Sequence, residues 1–327
     1  MKKIALCGKF NAEIRNMFRE QIPENFEVVE FENGEELGQL VDVDYMICRG
    51  FPITEGFLSH TPFLRLVQKW GAGYDKIDIQ TAGARGISVA VCWGGNSSPV
   101  AEMTVLLMLS VYRNIIPLYN KLKEGDWARE RYMPKSYTLN GKIVGFLGFG
   151  SIGQKTAKIL KRGFDAHIQY YDLQRLPEEK ETALGLRYAD MDDLLRTSDI
   201  ISIHVPLLES TKNIINKETL VKMKSSAIVI NTSRGGVIDE YDLYEALRDN
   251  IIAGAGLDTM SIEPVDPSCP LLKLENVVLT PHCGGNTADN DINMVKYCVE
   301  NVVQYDRDGF LVPPVLVNKN YLKASCS

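Results

Sequence analysis

The sequence predicts a two-domain α/β protein built on mainly parallel sheets, and three observations carry that prediction. Short apolar runs alternate with polar, helix-compatible stretches along the whole chain. At 327 residues the chain is too long for one ordinary core. The alternation also comes in two sets, separated by one long apolar segment.

In the first set the strands are "KKIALCG", "FEVVEF", "DYMICRG", "LRLVQKWG" and "ISVAVC", with segments such as "NAEIRNMFREQI" as intervening helices. The long segment "SPVAEMTVLLMLSVYRNIIPLYNKLKEG" follows. Pro99 suits a first helical turn, and apolar residues on most faces predict a buried helix that Pro117 kinks or ends. The second set runs through "GKIVGFLGFG", "HIQYYD", "DIISIHVPL", "SAIVINTSRGG", "IAGAGLD" and "NVVLTPHCGG". The last helical stretch, "NDINMVKYCVENVVQYDRDG", returns most economically to the first domain. The expected division is therefore a discontinuous domain of residues 1–100 and 286–327 around a domain of residues 101–285.

Composition narrows the function. With 45% hydrophobic and 24% charged residues the chain reads as globular, and a net charge of −6 argues against a nucleic-acid or anionic membrane partner. "MKKIALCGKF" lacks the long apolar core of a secretory signal, and "TVLLMLSVY" is too short to span a bilayer. The seven cysteines form no CxxC pair, which predicts reduced structural thiols and a cytoplasmic location.

Gly148, Gly150 and Gly153 have GxGxxG spacing between an apolar strand, "KIVGFLG", and a helix-forming run, "QKTAKILKRG". Glycines there permit a tight turn, close approach to a pyrophosphate and close helix–strand packing. The pyrophosphate would sit on the helix N-terminus, at Ser151 and Ile152. Asp172 ends the next strand, 24 positions after Gly148. A carboxylate there accepts from ribose hydroxyls and repels a 2′-phosphate, which predicts a Rossmann domain that binds NAD rather than NADP. Arg175 reads as a solvated surface residue.

Three further strand ends carry polar residues: Arg234 in "INTSRGG", Asp258 and Glu263 in "GLDTMSIEP", and His282 in "VLTPHCGG". Ligands of open α/β sheets bind outside the carboxyl ends of the strands, so these residues are expected to converge on the reactive end of the cofactor. Reducing a 2-oxo acid needs a proton on the oxo oxygen, which His282 is suited to give, with Glu263 orienting its ring. Arg234 offers a fixed fork of donors for a carboxylate and an oxo group. A metal site lacks a second His or Cys at ligand spacing, and Cys283 has no nucleophilic task beside a nicotinamide.

"GAGYDKID", "NSSPVAE", "GKIVGFLGFGSIGQ", "HVPLLESTKNIIN", "VINTSRGGVIDE", "AGLDTMSIEP" and "LTPHCGG" resemble, in order, the landmarks of the D-isomer-specific 2-hydroxyacid dehydrogenases. The resemblance implies a flavodoxin-like substrate domain beside the Rossmann domain, with a cleft between them, and places the family's catalytic Arg, Glu and His on Arg234, Glu263 and His282. It further implies that Val205, Pro206, Thr211, Thr232, Asp258, His282 and Gly284 line the NAD, with Thr104 as a nicotinamide-side helix position. Arg49, Ala72 and Gly73, with Arg234 and His282, are implied to hold the substrate. His204 reads as structural. Homodimerisation through the long helix and the "EGDWARERYMPKSY" arm is implied too, with Trp127 and Tyr132 at the contact.

The sequence departs from the family pattern at Trp93, where proline is usual, and at Thr259–Met260, where Val–Phe is frequent. Phe51 argues against a phosphorylated substrate, and the short stretch after the last helix leaves no room for a C-terminal regulatory domain. Formate dehydrogenase shares the scaffold but pairs its His with Gln. Phosphite and phosphoglycerate dehydrogenases, and an NAD(H)-sensing corepressor, stand as alternatives.

Overall fold

The computed structural model describes residues 1–32 and 40–322; Cys326 lies outside them. The chain divides into two compact units, Met1–Asn96 with Asn286–Ser327, and Ser97–Gly285.

The first unit is built on β1 (Lys2–Gly8), β2 (Phe26–Phe31), β3 (Tyr45–Arg49), β4 (Leu66–Lys69) and β5 (Ser88–Val91). They form one parallel sheet in the order β2-β1-β3-β4-β5, the flavodoxin-like doubly wound arrangement. Successive side chains alternate between its faces. Ile4 and Leu6 join Phe10, Ile14, Phe18 and the helix Ala288–Asp308 in one core layer, while Ala5 and Cys7 join Phe31, Met46 and Val67 in the other. With both faces covered, the inner strands have little polar side to show, hence their near-continuous apolar runs, while the edge strand β2 keeps exposed Glu27. Phe51 belongs to this core, edge-on to Phe31 at 5.7 Å and Phe57 at 5.1 Å. Its apolar character therefore has a packing cause as well.

The second unit is built on β6 (Ile143–Leu147), β7 (His167–Tyr171), β8 (Leu186–Tyr188), β9 (Ile200–Ile203), β10 (Ile228–Asn231), β11 (Gly254–Leu257) and β12 (Val277–Leu279). Their order, β12-β11-β10-β9-β6-β7-β8, is the Rossmann order with one extra edge strand, and every pairing is parallel. All seven carboxyl ends consequently share one edge. β8 is missing from the expectations because three half-exposed or exposed residues, Leu186, Arg187 and Tyr188, give no apolar run to read.

The long apolar segment is two helices, Ser97–Tyr112 and Ile115–Lys123, bent by 59°. The break falls at Arg113–Asn114, with Asn114 in the left-handed region at φ 50°, and not at Pro117. Pro117 sits in the first turn of the second helix, where its missing N–H costs no intrahelical bond. Among the described residues no single helix is long and apolar enough to cross a membrane.

Candidate active site

Each glycine of the 148–153 loop has a distinct steric reason. Gly148 adopts φ +88°, and a Cβ there would lie 2.8 Å from the carbonyl carbon of His204. A Cβ on Gly153 would meet the Gly148 carbonyl oxygen at 3.0 Å, so this residue lets the helix Ser151–Phe164 close onto β6. A Cβ on Gly150 would meet nothing within 4 Å. Protein packing therefore does not require glycine there, which leaves the backbone open to a ligand. Gly150 caps the helix without a side-chain bond, and the first N–H groups of the helix, at Ser151 and Ile152, have no intrahelical acceptor. An open, uncapped helix N-terminus of this kind fits a pyrophosphate.

Asp172, at the end of β7, accepts from the Phe149 N–H (2.7 Å) and the Gln174 N–H (2.9 Å), which ties it to the glycine loop. Arg175 is a surface residue, its side chain 55% exposed, but its guanidinium is engaged. Its Nε and Nη2 donate to the two carboxylate oxygens of Glu181 at 2.9 and 2.8 Å, and its guanidinium lies 4.9 Å from the centre of the Tyr188 ring.

Across the sheet, three strand-end loops interlock. β10 ends at buried Asn231, whose amide donates to the Arg234 carbonyl (2.8 Å) while its oxygen accepts from the Ser233 N–H and hydroxyl. This turn presents Arg234, which donates from Nη1 to the Ser233 carbonyl (2.7 Å). A Cβ on the next residue, Gly235, would fall 1.9 Å from the Met260 carbonyl carbon and 2.1 Å from the Ser261 nitrogen. The Arg234 turn is thus in backbone contact with the loop that carries Glu263. Glu263 Oε1 accepts from the Met260 N–H (3.1 Å), and its two oxygens lie 3.1 and 2.9 Å from His282 Nδ1. Both side chains are partly exposed, at 35% for Glu263 and 44% for His282, so the pair is open to a ligand. His282 holds φ 49°, a conformation a non-glycine residue adopts only when its surroundings impose it.

Asp258 imposes it, a role that sequence reasoning missed. Only 2% exposed, its carboxylate accepts from the Thr280 hydroxyl (2.6 Å), the Cys283 N–H (3.0 Å) and the Gly284 N–H (2.8 Å). These bonds bracket His282 on both sides. Asp258 is thus a loop brace first, and its own strand-end position was the only sequence signal for it. Burial and the neighbouring Asp258 push the Cys283 thiol up, away from the thiolate.

The remaining candidates fall into place around these loops. Thr104 and Thr232 meet hydroxyl to hydroxyl at 2.9 Å, both buried, with Thr104 bonded back to the Val100 carbonyl. The Thr211 hydroxyl shapes its own loop, donating to the Pro206 carbonyl (2.6 Å) and accepting from the Leu208 N–H (2.8 Å). Val205 packs its side chain against Gly148. His204 stacks on Phe146 at 5.5 Å, lies 2.8 Å from the Ser202 hydroxyl, and is pushed down to about 3 by burial. Thr259 is buried, and its hydroxyl has no partner among the described residues. Among the described residues no group of His, Cys, Asp or Glu is placed to hold a metal ion.

In the first unit, Arg49 ends β3, with its guanidinium 5.4 Å from the Trp70 ring and a long bond (3.4 Å) to Asn286. Ala72 and Gly73 lie half-buried in the bend after β4, the strand beside β3, and the Gly71 carbonyl there accepts from the Cys92 N–H (3.0 Å). Tyr132 is buried and donates to Glu275 at 2.8 Å, so its hydroxyl is committed within the chain. Trp127, by contrast, is 75% exposed.

A Rossmann sheet with an open glycine turn, and an Arg, Glu and His on adjoining strand ends, defines an NAD-dependent dehydrogenase. Residues 105–284 match the D-isomer specific 2-hydroxyacid dehydrogenase, NAD binding domain. The chain is 39% identical over 274 residues to a glyoxylate reductase of Korarchaeum cryptofilum, covering 83% of this chain and 81% of that one. It is 41% identical over 251 residues to a hydroxypyruvate reductase of Thermotoga maritima, covering 76% and 80%. Among solved structures, the NADPH-dependent glyoxylate/hydroxypyruvate reductase of Sinorhizobium meliloti, in complex with NADP and malonate, superposes with a TM-score of 0.84 at 29% identity, covering 99% and 98%. The chain belongs to the D-isomer specific 2-hydroxyacid dehydrogenase family. It is an NAD-dependent oxidoreductase that interconverts 2-oxo and 2-hydroxy acids.

Proposed function

We propose that the chain reduces short 2-oxo acids of the glyoxylate and hydroxypyruvate class to D-2-hydroxy acids, with Arg234, Glu263 and His282 as its catalytic groups. The observation that carries this reading is the His282 Nδ1–Glu263 contact at 2.9–3.1 Å, on a loop braced by Asp258 and beside the Arg234 turn. The Arg234 fork binds the substrate carboxylate and polarises the oxo oxygen. With Nδ1 engaged by Glu263, His282 delivers its proton to that oxygen from Nε2, and takes it back in oxidation. Glu263 holds the ring in orientation and favours the protonated form before transfer. NADH, when bound, supplies the hydride. Ser151 and Ile152 would hold its pyrophosphate and Asp172 its ribose, with Val205, Pro206, Thr211, Thr232, Asp258 and Gly284 along the rest of it. Arg49 and the backbone of Ala72 and Gly73 would grip the substrate.

The substrate class is supported by the names of the Korarchaeum and Thermotoga relatives. We further propose a cytoplasmic homodimer. A groove of about 490 Å³ lined by Ile115, Tyr119, Leu122 and Trp127 supports the dimer, and light scattering tests it.

The functional test is NADH oxidation, followed by absorbance, across 2-oxo acids graded in size and charge, with phosphite in a parallel oxidation assay. Preferred turnover of glyoxylate and hydroxypyruvate is expected. Turnover confined to bulky or phosphorylated acids, or phosphite oxidation alone, would contradict the assignment.

A further inference from the structure

We propose that Glu181 is a positioning residue for cofactor choice: it latches Arg175 toward β8 and so denies a 2′-phosphate its nearest cation. Arg175 follows Asp172 by three positions in the turn after β7, where the neighbouring side chains are Leu173, Gln174 and Leu176. Arg175 is thus the one cationic side chain of that turn. Its guanidinium is held by two side chains. Both carboxylate oxygens of Glu181 accept from it, and the Tyr188 ring of β8 lies beneath it at 4.9 Å.

Glu181 is itself almost fully covered, its side chain 7% exposed while that of Arg175 is 55% exposed. Its remaining partner is the Tyr170 hydroxyl, which donates to it at 2.6 Å and accepts from the Leu176 N–H at 2.9 Å. Tyr170 is a buried residue of β7, so the latch is anchored in the sheet. A covered carboxylate is costly unless its partners satisfy it, and here those partners are Arg175 and Tyr170. The bidentate geometry fixes the direction of the guanidinium as well as its charge. Arg175 and Glu181 together present no net positive charge to the turn, and Asp172 adds a negative one. An unlatched arginine at this position would have the fork geometry that phosphate recognition uses.

The inference rests on the reading of Asp172 as the ribose carboxylate. That reading has its own control: Asp172→Asn should weaken NADH binding, and no change would sink it independently of the latch. The test is titration of the purified protein with NADPH and with NADH, read by dihydronicotinamide fluorescence, in a cycle of Glu181→Gln, Arg175→Ala and the double variant. Glu181→Gln is expected to tighten NADPH binding about tenfold, the gain of one charge-assisted contact, and to leave NADH binding within about twofold. Adding Arg175→Ala should return NADPH to the wild-type value. An unchanged NADPH affinity in Glu181→Gln, or a gain that persists in the double variant, overturns the proposal. Should Glu181→Gln fail to fold, the double variant decides. Removing both charges of a latched, neutral pair leaves NADPH affinity within about twofold of wild type, whereas a loss of about tenfold would mean that Arg175 reaches the phosphate with Glu181 in place.

Discussion

At the β6–β8 side of the seven-stranded sheet the groups we propose to face ligand are mostly backbone: an open turn at Gly150, the first N–H groups of one helix, and the single carboxylate of Asp172. At the β10–β12 side they are side chains, Arg234, Glu263 and His282, each on its own loop. The first side is braced by close packing of glycines on neighbouring backbone. The second is braced by a buried carboxylate, Asp258, and by the contact of Gly235 with Met260 and Ser261. A binding surface made of backbone tolerates variation in side chains, whereas proton transfer requires a particular atom at a particular place. Substitutions on the two sides should therefore separate cofactor binding from turnover.

The sharpest break of the comparison is Arg234→Ala. Losing two charge-assisted contacts to substrate should lower kcat/KM by about 10³ while NADH affinity changes by less than about twofold. Arg234→Lys should recover only part of this, because a point charge cannot replace the fork. Equal losses in NADH affinity and kcat/KM would erase the distinction between the two sides.

Gly235→Ala comes next. Its new Cβ would overlap the Met260 and Ser261 backbone, so the protein should lose about 1–3 kcal/mol of stability along with much of its turnover. Thermal unfolding and NADH titration check this together, and an unchanged melting temperature would contradict the close approach.

His204 sharpens the comparison on the cofactor side through pH. The folded protein resists protonating it until about pH 3, while the unfolded chain takes up that proton near 6.5. The unfolded state thus binds more protons between those values, and stability falls as pH drops below 6.5, by up to about 1.4 kcal/mol per unit. Urea unfolding at pH 7.5 and about 5.5 should show this loss in the wild type and less of it in His204→Asn. Equal losses would contradict the account.

The smallest effect is expected at Thr259→Val, which removes a buried hydroxyl without a partner among the described residues and keeps the branched shape. Stability should be unchanged or rise by about 1 kcal/mol, and a loss of similar size would reveal a partner for that hydroxyl.

The same contrast decides what was legible in the sequence. The glycine loop and Asp172 lie within 25 residues on a strand–turn–helix–strand run, so their spacing alone carries the mechanism. Arg234, Glu263 and His282 are spread over 49 residues, and strand ends could be counted without knowing which loops touch. What brings them together is tertiary: the Gly235 contact and the three bonds to Asp258, neither of which has a local signature. The Arg175–Glu181 ion pair was illegible for a related reason, since Glu181 is anchored by Tyr170 of β7 and Arg175 lies against Tyr188, in a strand too short and polar to be seen. Pro117 misled in the opposite direction. Proline is a strong local signal, but Asn114 had already broken the helix three residues earlier.

The central claim is that His282 is the proton donor, oriented by Glu263. The measurement that tests it most directly is His282→Ala, assayed for NADH oxidation with glyoxylate and hydroxypyruvate and titrated separately for NADH binding. The account predicts that kcat falls by about 10³, within the range expected for loss of a general acid, with NADH affinity preserved within about threefold. Turnover within about tenfold of wild type, with NADH still bound, would show that the proton comes from elsewhere.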